Sequence, residues 1–186
     1  MGQDAQASIA KSMQDAKGRS PGIKAITKAY LRKESQISAK ILRSIGQEER
    51  ATIEEQRLQK FVDDQSKDEQ KYKDYSYTSA ETRKFLATAL QSVEKLDASQ
   101  KQKFGEAMRE LALLTIEMDR IKLNLINDFT SGKIDMMQMT VARDVFGSVN
   151  VSCKLYDDLN NVSTKVGAKK ADVVFNSDSE DTVINM

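Results

Sequence analysis

Apolar side chains recur at steps of three, four and seven residues along most of the chain, a spacing that predicts amphipathic α-helices. In the first half they are Ile23, Ile26, Tyr30, Ile37, Ile41 and Ile45, followed more weakly by Ile53, Leu58, Phe61 and Val62. Only Gly46 interrupts this stripe, and one glycine inside a helix costs about 1 kcal/mol relative to alanine. We therefore predict one very long helix, or two nearly collinear ones, over about 23–73, with a length of roughly 75 Å.

The apolar stripe is lost over residues 72–77, which we predict to be a loop whose three tyrosines cover the exposed end of a bundle. Thr78 and Glu81 then have the spacing of a helix-starting capping box. Asp97 and Gln100 have the same spacing, although the apolar pattern continues across them. Two interpretations stay open there, and a helix break at Asp97 is favoured over a helix that continues through a polar layer.

Residues 97–131 and 135–168 are predicted to form a helical hairpin that makes the core. Gly132 follows the first arm, where glycine commonly takes the left-handed conformation that ends a helix. Asp135 caps the second arm, and the turn is short enough to make the two arms antiparallel neighbours. The first arm is apolar on more than one face between residues 111 and 126, so it should contact several partners at once.

Composition supports an all-α protein. The 186 residues include one proline, eight glycines and no tryptophan, so helix breakers are scarce. Apolar residues make up 39% and charged residues 31%, which fits helices with one apolar stripe and a wide solvated face. We predict an elongated antiparallel bundle of three to four main helices over 23–169, with an N-terminal arm over 1–22 and an acidic C-terminal tail over 170–186.

The chain lacks histidine, which excludes histidine-based triads, zinc-protease helices and Glu-x-x-His di-iron bundles. Cys153 is the single cysteine and is expected to be a small core residue. A carboxylate enzyme would need two acids buried on facing helices, and Glu117 and Asp119 are the only acids in the most apolar stretch. We therefore expect no enzyme, no catalytic residue, no cofactor and no metal.

Two surfaces are candidates for contact with a partner. One is an adaptable apolar surface, for which core filling is the alternative interpretation; its residues are Leu113, Leu114, Ile116, Leu123, Met136, Met137 and Met139. The other is the segment 17–43, which holds eight basic residues and one acid and is typical of helices that bind anionic surfaces. Its candidate basic patch is Lys24, Lys28, Arg32, Lys33, Lys40 and Arg43. The alternative for this patch is a solvated face of a bundle helix.

These patterns predict a non-enzymatic helical bundle that acts by helix–helix contact with a protein partner or with itself, as a subunit of an oligomer or larger assembly. The alternative is a peripheral membrane-surface protein that uses residues 17–43. Nucleic acid is not an expected partner, because Tyr30 is the only aromatic residue of that segment. No signal peptide or apolar run of about 18 residues is visible, so a cytoplasmic location is expected, and export only if Met1 and Gly2 replace a removed leader.

Overall fold

The computed structural model describes residues 20–64 and 69–163, together with the backbone of 172–174 and 183–185. Its helices are α1 Ser20–Ser44, α2 Glu48–Asp63, α3 Glu69–Gln91, α4 Ala98–Thr130, α5 Met136–Val141 and α6 Arg143–Ser163. The strands β1, Asp172–Val174, and β2, Val183–Asn185, form an antiparallel pair in which Val173 lies opposite Ile184. The prediction of an all-α protein is confirmed apart from this short pair. Most of the predicted arm and the rest of the tail lie outside the described residues.

The chain reverses direction at Gly46, so the predicted single helix over 23–73 is wrong. Gly46 has a φ of +86°, a conformation that side chains other than glycine rarely adopt. The amide of Gln47 donates to the carbonyl of Leu42 at 2.8 Å. The amide of Gly46 donates to the carbonyl of Arg43 at 3.2 Å. This pair of bonds is a Schellman motif, which ends a helix. Helix α2 then folds back along α1, and the longest helix is instead α4, with 33 residues.

Residues 72–77 lie within α3, so the predicted loop there is wrong. Thr78 does not cap a helix; its hydroxyl donates to the carbonyl of Tyr75 at 3.0 Å inside α3. The apolar spacing does not reveal the start of α3, because the buried face of this helix carries polar side chains there. Its buried positions include Tyr75, Ser79 and Thr82 before the first leucine, Leu86.

The helix boundaries around the second half follow the predicted capping residues. Asp97 and Asp135 each form a complete capping box, so the favoured helix break at Asp97 is confirmed. Gly132 has a φ of +80°, as expected for a residue that ends a helix. The second arm of the hairpin is not one helix over 135–168, because the chain leaves regular helix at Ala142 and divides into α5 and α6.

Helix α1, rather than the predicted hairpin, is the central element of the fold. It contacts α2, α3, α4, α5 and α6, whereas α4 contacts α1, α5 and α6. The fully buried side chains of α1 include Ile26, Tyr30, Ile37, Ile41 and Leu42. Full burial of one large apolar side chain stabilises a fold by about 1.5–3 kcal/mol. The core is therefore built around α1, and its remaining apolar side chains come mainly from α4 and α6.

Candidate functional site

A buried polar layer joins α1, α2 and α3. Two of its carboxylates, Glu34 and Glu54, are only 2% and 1% exposed. Burying a charge is costly unless the group is paired and hydrogen-bonded, so such carboxylates need partners inside the protein. The residues of this layer are Tyr30, Glu34, Ser35, Glu54, Arg57, Tyr75, Ser79, Thr82 and Arg83.

Both oxygens of the Glu34 carboxylate have a partner. Its Oε1 accepts a hydrogen bond of 2.5 Å from Nη1 of Arg83 on α3, and its Oε2 accepts a hydrogen bond from the hydroxyl of Tyr30. Burial raises the pKa of Glu34, while the charge of Arg83 and the hydrogen bond from Tyr30 act in the opposite direction. Burial, followed by the negative charge of Glu34, raises the pKa of Tyr30 well above its usual value. Tyr30 therefore stays protonated as a donor to Glu34.

Arg57 of α2 links all three helices. Its guanidinium donates to both oxygens of Glu54 on its own helix and, at 3.2 Å, to the hydroxyl of Ser35 on α1. It also donates to the carbonyl of Tyr75 at 3.0 Å and to the hydroxyl of Ser79 at 3.1 Å, both on α3. Its central carbon lies 4.1 Å from the centroid of the Tyr75 ring. A guanidinium suits this position because it presents five donors in one plane.

The remaining contacts complete the layer. The hydroxyl of Thr82 donates to Oε2 of Glu54 at 2.9 Å, and the hydroxyls of Ser35 and Tyr75 share a hydrogen bond of 2.5 Å. The ring of Phe61 stacks on Tyr75 with centroids 4.0 Å apart. Proton transfer by a carboxylate requires that a substrate reach it. Because Glu34 and Glu54 are buried and fully paired, this geometry serves to hold the helices together.

Sequence reasoning missed the polar layer, although the apolar spacing contained a signal for it. Glu34 follows Tyr30 by four residues and precedes Ile37 by three, so it lies on the buried stripe of α1. Glu54 lies in the same way between Ala51 and Leu58 on α2. An acid at a position where the spacing demands an apolar side chain indicates a buried ion pair. The cation for Glu34 is Arg83 of α3, and the cation for Glu54 is Arg57 of α2 itself.

The fold buries some residues of the predicted apolar surface and leaves others exposed. Leu114 and Ile116 are 1% and 4% exposed, so the prediction that they face a partner is wrong for this fold. They are buried because α4 is covered on more than one side, by α1 and by α6. Leu113 and Met139 are half-buried. The exposed members are Leu123, Met136 and Met137, at 37%, 67% and 76%.

Two members of the predicted basic patch are paired with acids. The Nζ of Lys40 lies 2.9 Å from Oε1 of Glu110 on α4. Arg43 donates at 2.5 Å to Glu55 on α2 and also binds a second glutamate of that helix. The side chain of Lys24 lies outside the described residues. These ion pairs join α1 to α4 and α2. The positive charges of Lys40 and Arg43 are therefore paired with acids within the bundle.

Two further basic residues lie over aromatic rings. Nζ of Lys28 is 5.5 Å from the ring centroid of Tyr72, and the guanidinium carbon of Arg32 is 5.7 Å from that of Phe61. A cation held over a ring is attracted by the negative face of the π-system. Lys33 is half-buried. Four of the six basic residues therefore contact neighbouring helices: Lys28 contacts α3, Arg32 and Arg43 contact α2, and Lys40 contacts α4.

The acids of the apolar stretch and the cysteine do not form a reactive cluster. Glu117 and Asp119 are half-buried, and burial raises the pKa of Glu117 against the opposing charge of Arg120. Burial, followed by Asp119 and Asp157, raises the pKa of the Cys153 thiol and so disfavours the reactive thiolate. Among residues 20–64 and 69–163, no group of His, Cys, Asp and Glu side chains could hold a metal ion.

No family model matches the chain, and neither a curated protein nor a solved structure does. Within the described part of the chain, every helix is too short or too polar to cross a bilayer.

Proposed function

We propose that the protein is a non-enzymatic helical bundle that acts by helix–helix contact, as a subunit of an oligomer formed with further copies of itself. The observation that supports this most is the exposed pair Met136 and Met137, at 67% and 76% exposure. Methionine is flexible and polarisable, and exposed methionines are common on surfaces that bind other proteins.

The methionine pair is held on an ordered element. Helix α5 is six residues long, its start is fixed by the capping box of Asp135, and it contacts α1, α4 and α6. Two more exposed apolar side chains, Leu123 and Ile126, lie in the last turns of α4, just before the turn that leads to α5. The elongated antiparallel bundle expected from the sequence is part of this proposal, and the chain reversals near Gly46 and Gly132 support it.

Size-exclusion chromatography with light scattering tests the proposal at rising protein concentration and low salt. The wild-type mass should rise above the 20.9 kDa of one chain as concentration increases. The double variant Met136→Lys/Met137→Lys should remain at the monomer mass. The control Gln91→Lys/Ser99→Lys adds the same charge at exposed positions elsewhere and should behave as wild type. A wild-type chain that stays monomeric at every concentration would contradict the proposal.

Binding to an anionic membrane through residues 17–43 is the alternative function, and it has less support. The apolar side of α1 is buried in the bundle, so that helix would have to leave the core to enter a lipid surface. Flotation with anionic and neutral vesicles separates the two functions. The alternative requires flotation with anionic vesicles only, lost when Lys24, Lys28, Arg32 and Lys33 are changed to Glu; absence of flotation by the wild type would remove it.

A further inference from the structure

A cavity of about 530 Å³ lies between α1, α3 and α6, and Tyr30 and Arg83 of the polar layer are part of its wall. Small-molecule sites have volumes of roughly 300–1,000 Å³ and combine apolar walls with a few placed polar groups. Three tyrosines contribute to this wall, namely Tyr30, Tyr72 and Tyr77. The cavity is thus large enough for a small ring-containing molecule and has aromatic surface for it to contact.

The charge of the cavity wall is positive. Lys73 and Arg143 lie at its edge with exposed side chains, and no hydrogen bond or ion pair joins either to another described residue. Arg83 also contributes to the wall, but its charge is offset by Glu34. Asp144 is the only acid among the described residues of the wall. Because cations in a cleft raise the local concentration of anions, the cavity favours a negatively charged ligand.

The wall also contains a polar group that lacks a partner. Thr27 is 4% exposed, and its hydroxyl has no hydrogen bond within the described structure. Buried polar side chains are almost always hydrogen-bonded, and an exception needs an explanation. A second donor is Tyr72, whose pKa is raised to about 12 by burial, then by Asp144 and Glu69, so its hydroxyl is protonated at neutral pH. A ligand with acceptor oxygens can therefore accept from Tyr72, whereas the hydroxyl oxygen of Thr27 is itself covered by its neighbours.

We propose that this cavity binds a small aromatic anion, with its phosphate or carboxylate toward Lys73 and Arg143 and its ring against Tyr72 and Tyr77. This site is separate from the exposed methionines and does not depend on self-association. Gly147 provides a steric means to test it. Gly147 belongs to the wall, and a Cβ added there meets no atom within 4 Å, so a larger side chain at 147 would extend into open space.

Binding is measured on the full chain by isothermal titration and by NMR of backbone amides, in a buffer without phosphate. The probes are phenyl phosphate, benzoate and, as a neutral control of similar shape, benzyl alcohol. Phenyl phosphate or benzoate should bind saturably, and the stronger of the two identifies the anionic group that the site prefers. Benzyl alcohol should bind more weakly than the stronger of the two anions. Equal binding of benzyl alcohol, or no binding of both anions, would overturn the proposal.

Variants of the cavity wall locate the site, each compared with a control elsewhere on the chain. Gly147→Leu should abolish binding, whereas Gly105→Leu, at a helical glycine of α4 with equal free space, should retain it. Lys73→Gln and Arg143→Gln should each weaken binding by about two- to fivefold, as expected for exposed charges. Arg109→Gln/Lys133→Gln removes two exposed charges elsewhere and should have no effect. Binding that persists in the Lys73→Gln/Arg143→Gln variant at wild-type strength would overturn the proposal even if Gly147→Leu fails to fold.

Discussion

Arg83 of α3 donates a hydrogen bond of 2.5 Å to the carboxylate of Glu34 on α1, which lies 49 residues earlier in the chain. The Glu34 side chain is 3% exposed and that of Arg83 is 18% exposed, so solvent screens this ion pair only weakly. Breaking a buried pair by removing one partner costs much more than replacing both partners with apolar groups, because a buried charge is left uncompensated. Removing one partner and replacing both partners should therefore change the free energy of unfolding by clearly different amounts.

Arg83→Met should destabilise the protein by about 3–5 kcal/mol, because Glu34 would remain buried without its cation. The combined variant Tyr30→Phe/Glu34→Leu/Arg83→Leu removes every polar member of this contact and should recover most of that loss. Urea unfolding followed by circular dichroism measures both. Arg109→Met, at an exposed position on α4, should change stability by less than about 0.5 kcal/mol. A loss below about 1 kcal/mol for Arg83→Met would contradict the assigned role of the pair.

Arg57→Lys should destabilise the protein by about 2 kcal/mol although the charge is kept. Lysine has three donors on one nitrogen, fewer than the five that the guanidinium directs to Glu54, Ser35, Ser79 and the carbonyl of Tyr75, so buried acceptors are left unsatisfied. Arg43→Lys makes the same chemical change at a more exposed ion pair and should cost less than about 1 kcal/mol. Equal effects of the two substitutions in urea unfolding would argue against Arg57 as the link between α1, α2 and α3.

The stability contribution of Glu34 should fall as pH rises. Burial raises the pKa of Glu34 above its usual value, and Glu54 adds to this, although Arg83 and Tyr30 oppose it. The folded state therefore holds this proton more tightly than the unfolded state, whose glutamate pKa is about 4.3. The stabilisation that Glu34 provides is fully present below the pKa of the unfolded state. It is lost as the pH rises through the higher pKa of Glu34 in the folded state.

Glu34→Gln carries no titrating group at this position and provides the comparison. The free energy of unfolding of wild type minus that of Glu34→Gln should decrease as pH is raised from 4.5 to 7.5, whatever constant difference the substitution introduces. A difference that grows with pH would mean that the pKa of Glu34 is lowered by folding.

Gly46→Ala and Gly105→Ala should change stability in opposite directions. Alanine at position 46 must adopt a φ near +86°, which costs about 1–2 kcal/mol for a residue with a Cβ. Gly105 is inside α4 with open space beside it, so alanine there should stabilise the helix by about 0.5–1 kcal/mol. Thermal unfolding measures both changes. If Gly46→Ala were neutral or stabilising, the helix would continue through position 46 as the apolar spacing alone predicts.

Helix content and the helix starts after Asp97 and Asp135 were predictable because they depend on neighbouring residues. The boxes at Asp97 and Asp135 involve groups only three residues apart, and both are present as expected. Spacing alone could not predict the reversal at Gly46. One continuous helix through Gly46 and two helices that fold back on each other there have the same apolar period before and after that residue. What distinguishes the hairpin from the continuous helix is the pair of hydrogen bonds that Gly46 and Gln47 donate to the carbonyls of Arg43 and Leu42.

The polar layer and the cavity depend on residues that are distant in the chain. The spacing places Glu34 and Glu54 on buried stripes, but it does not show that Arg83 faces Glu34 from α3, or that Arg57 joins α2 to Ser35 on α1 and to Tyr75 on α3. The cavity wall likewise combines three helices, and it includes Gly147, which has no side chain to give a signal. Such sites become visible only once the packing of α1 against α3 and α6 is known.

The most direct test of the proposed self-contact is photocrosslinking from the surface of α5. A benzophenone amino acid is placed at Met137 in the purified protein, and the control carries it at Gln102, an exposed position on α4. Irradiation should give a covalent dimer from position 137, linked to residues of a second copy, and only monomer from position 102. Monomer alone from position 137, or equal dimer from both positions, would contradict a specific contact through the exposed methionines.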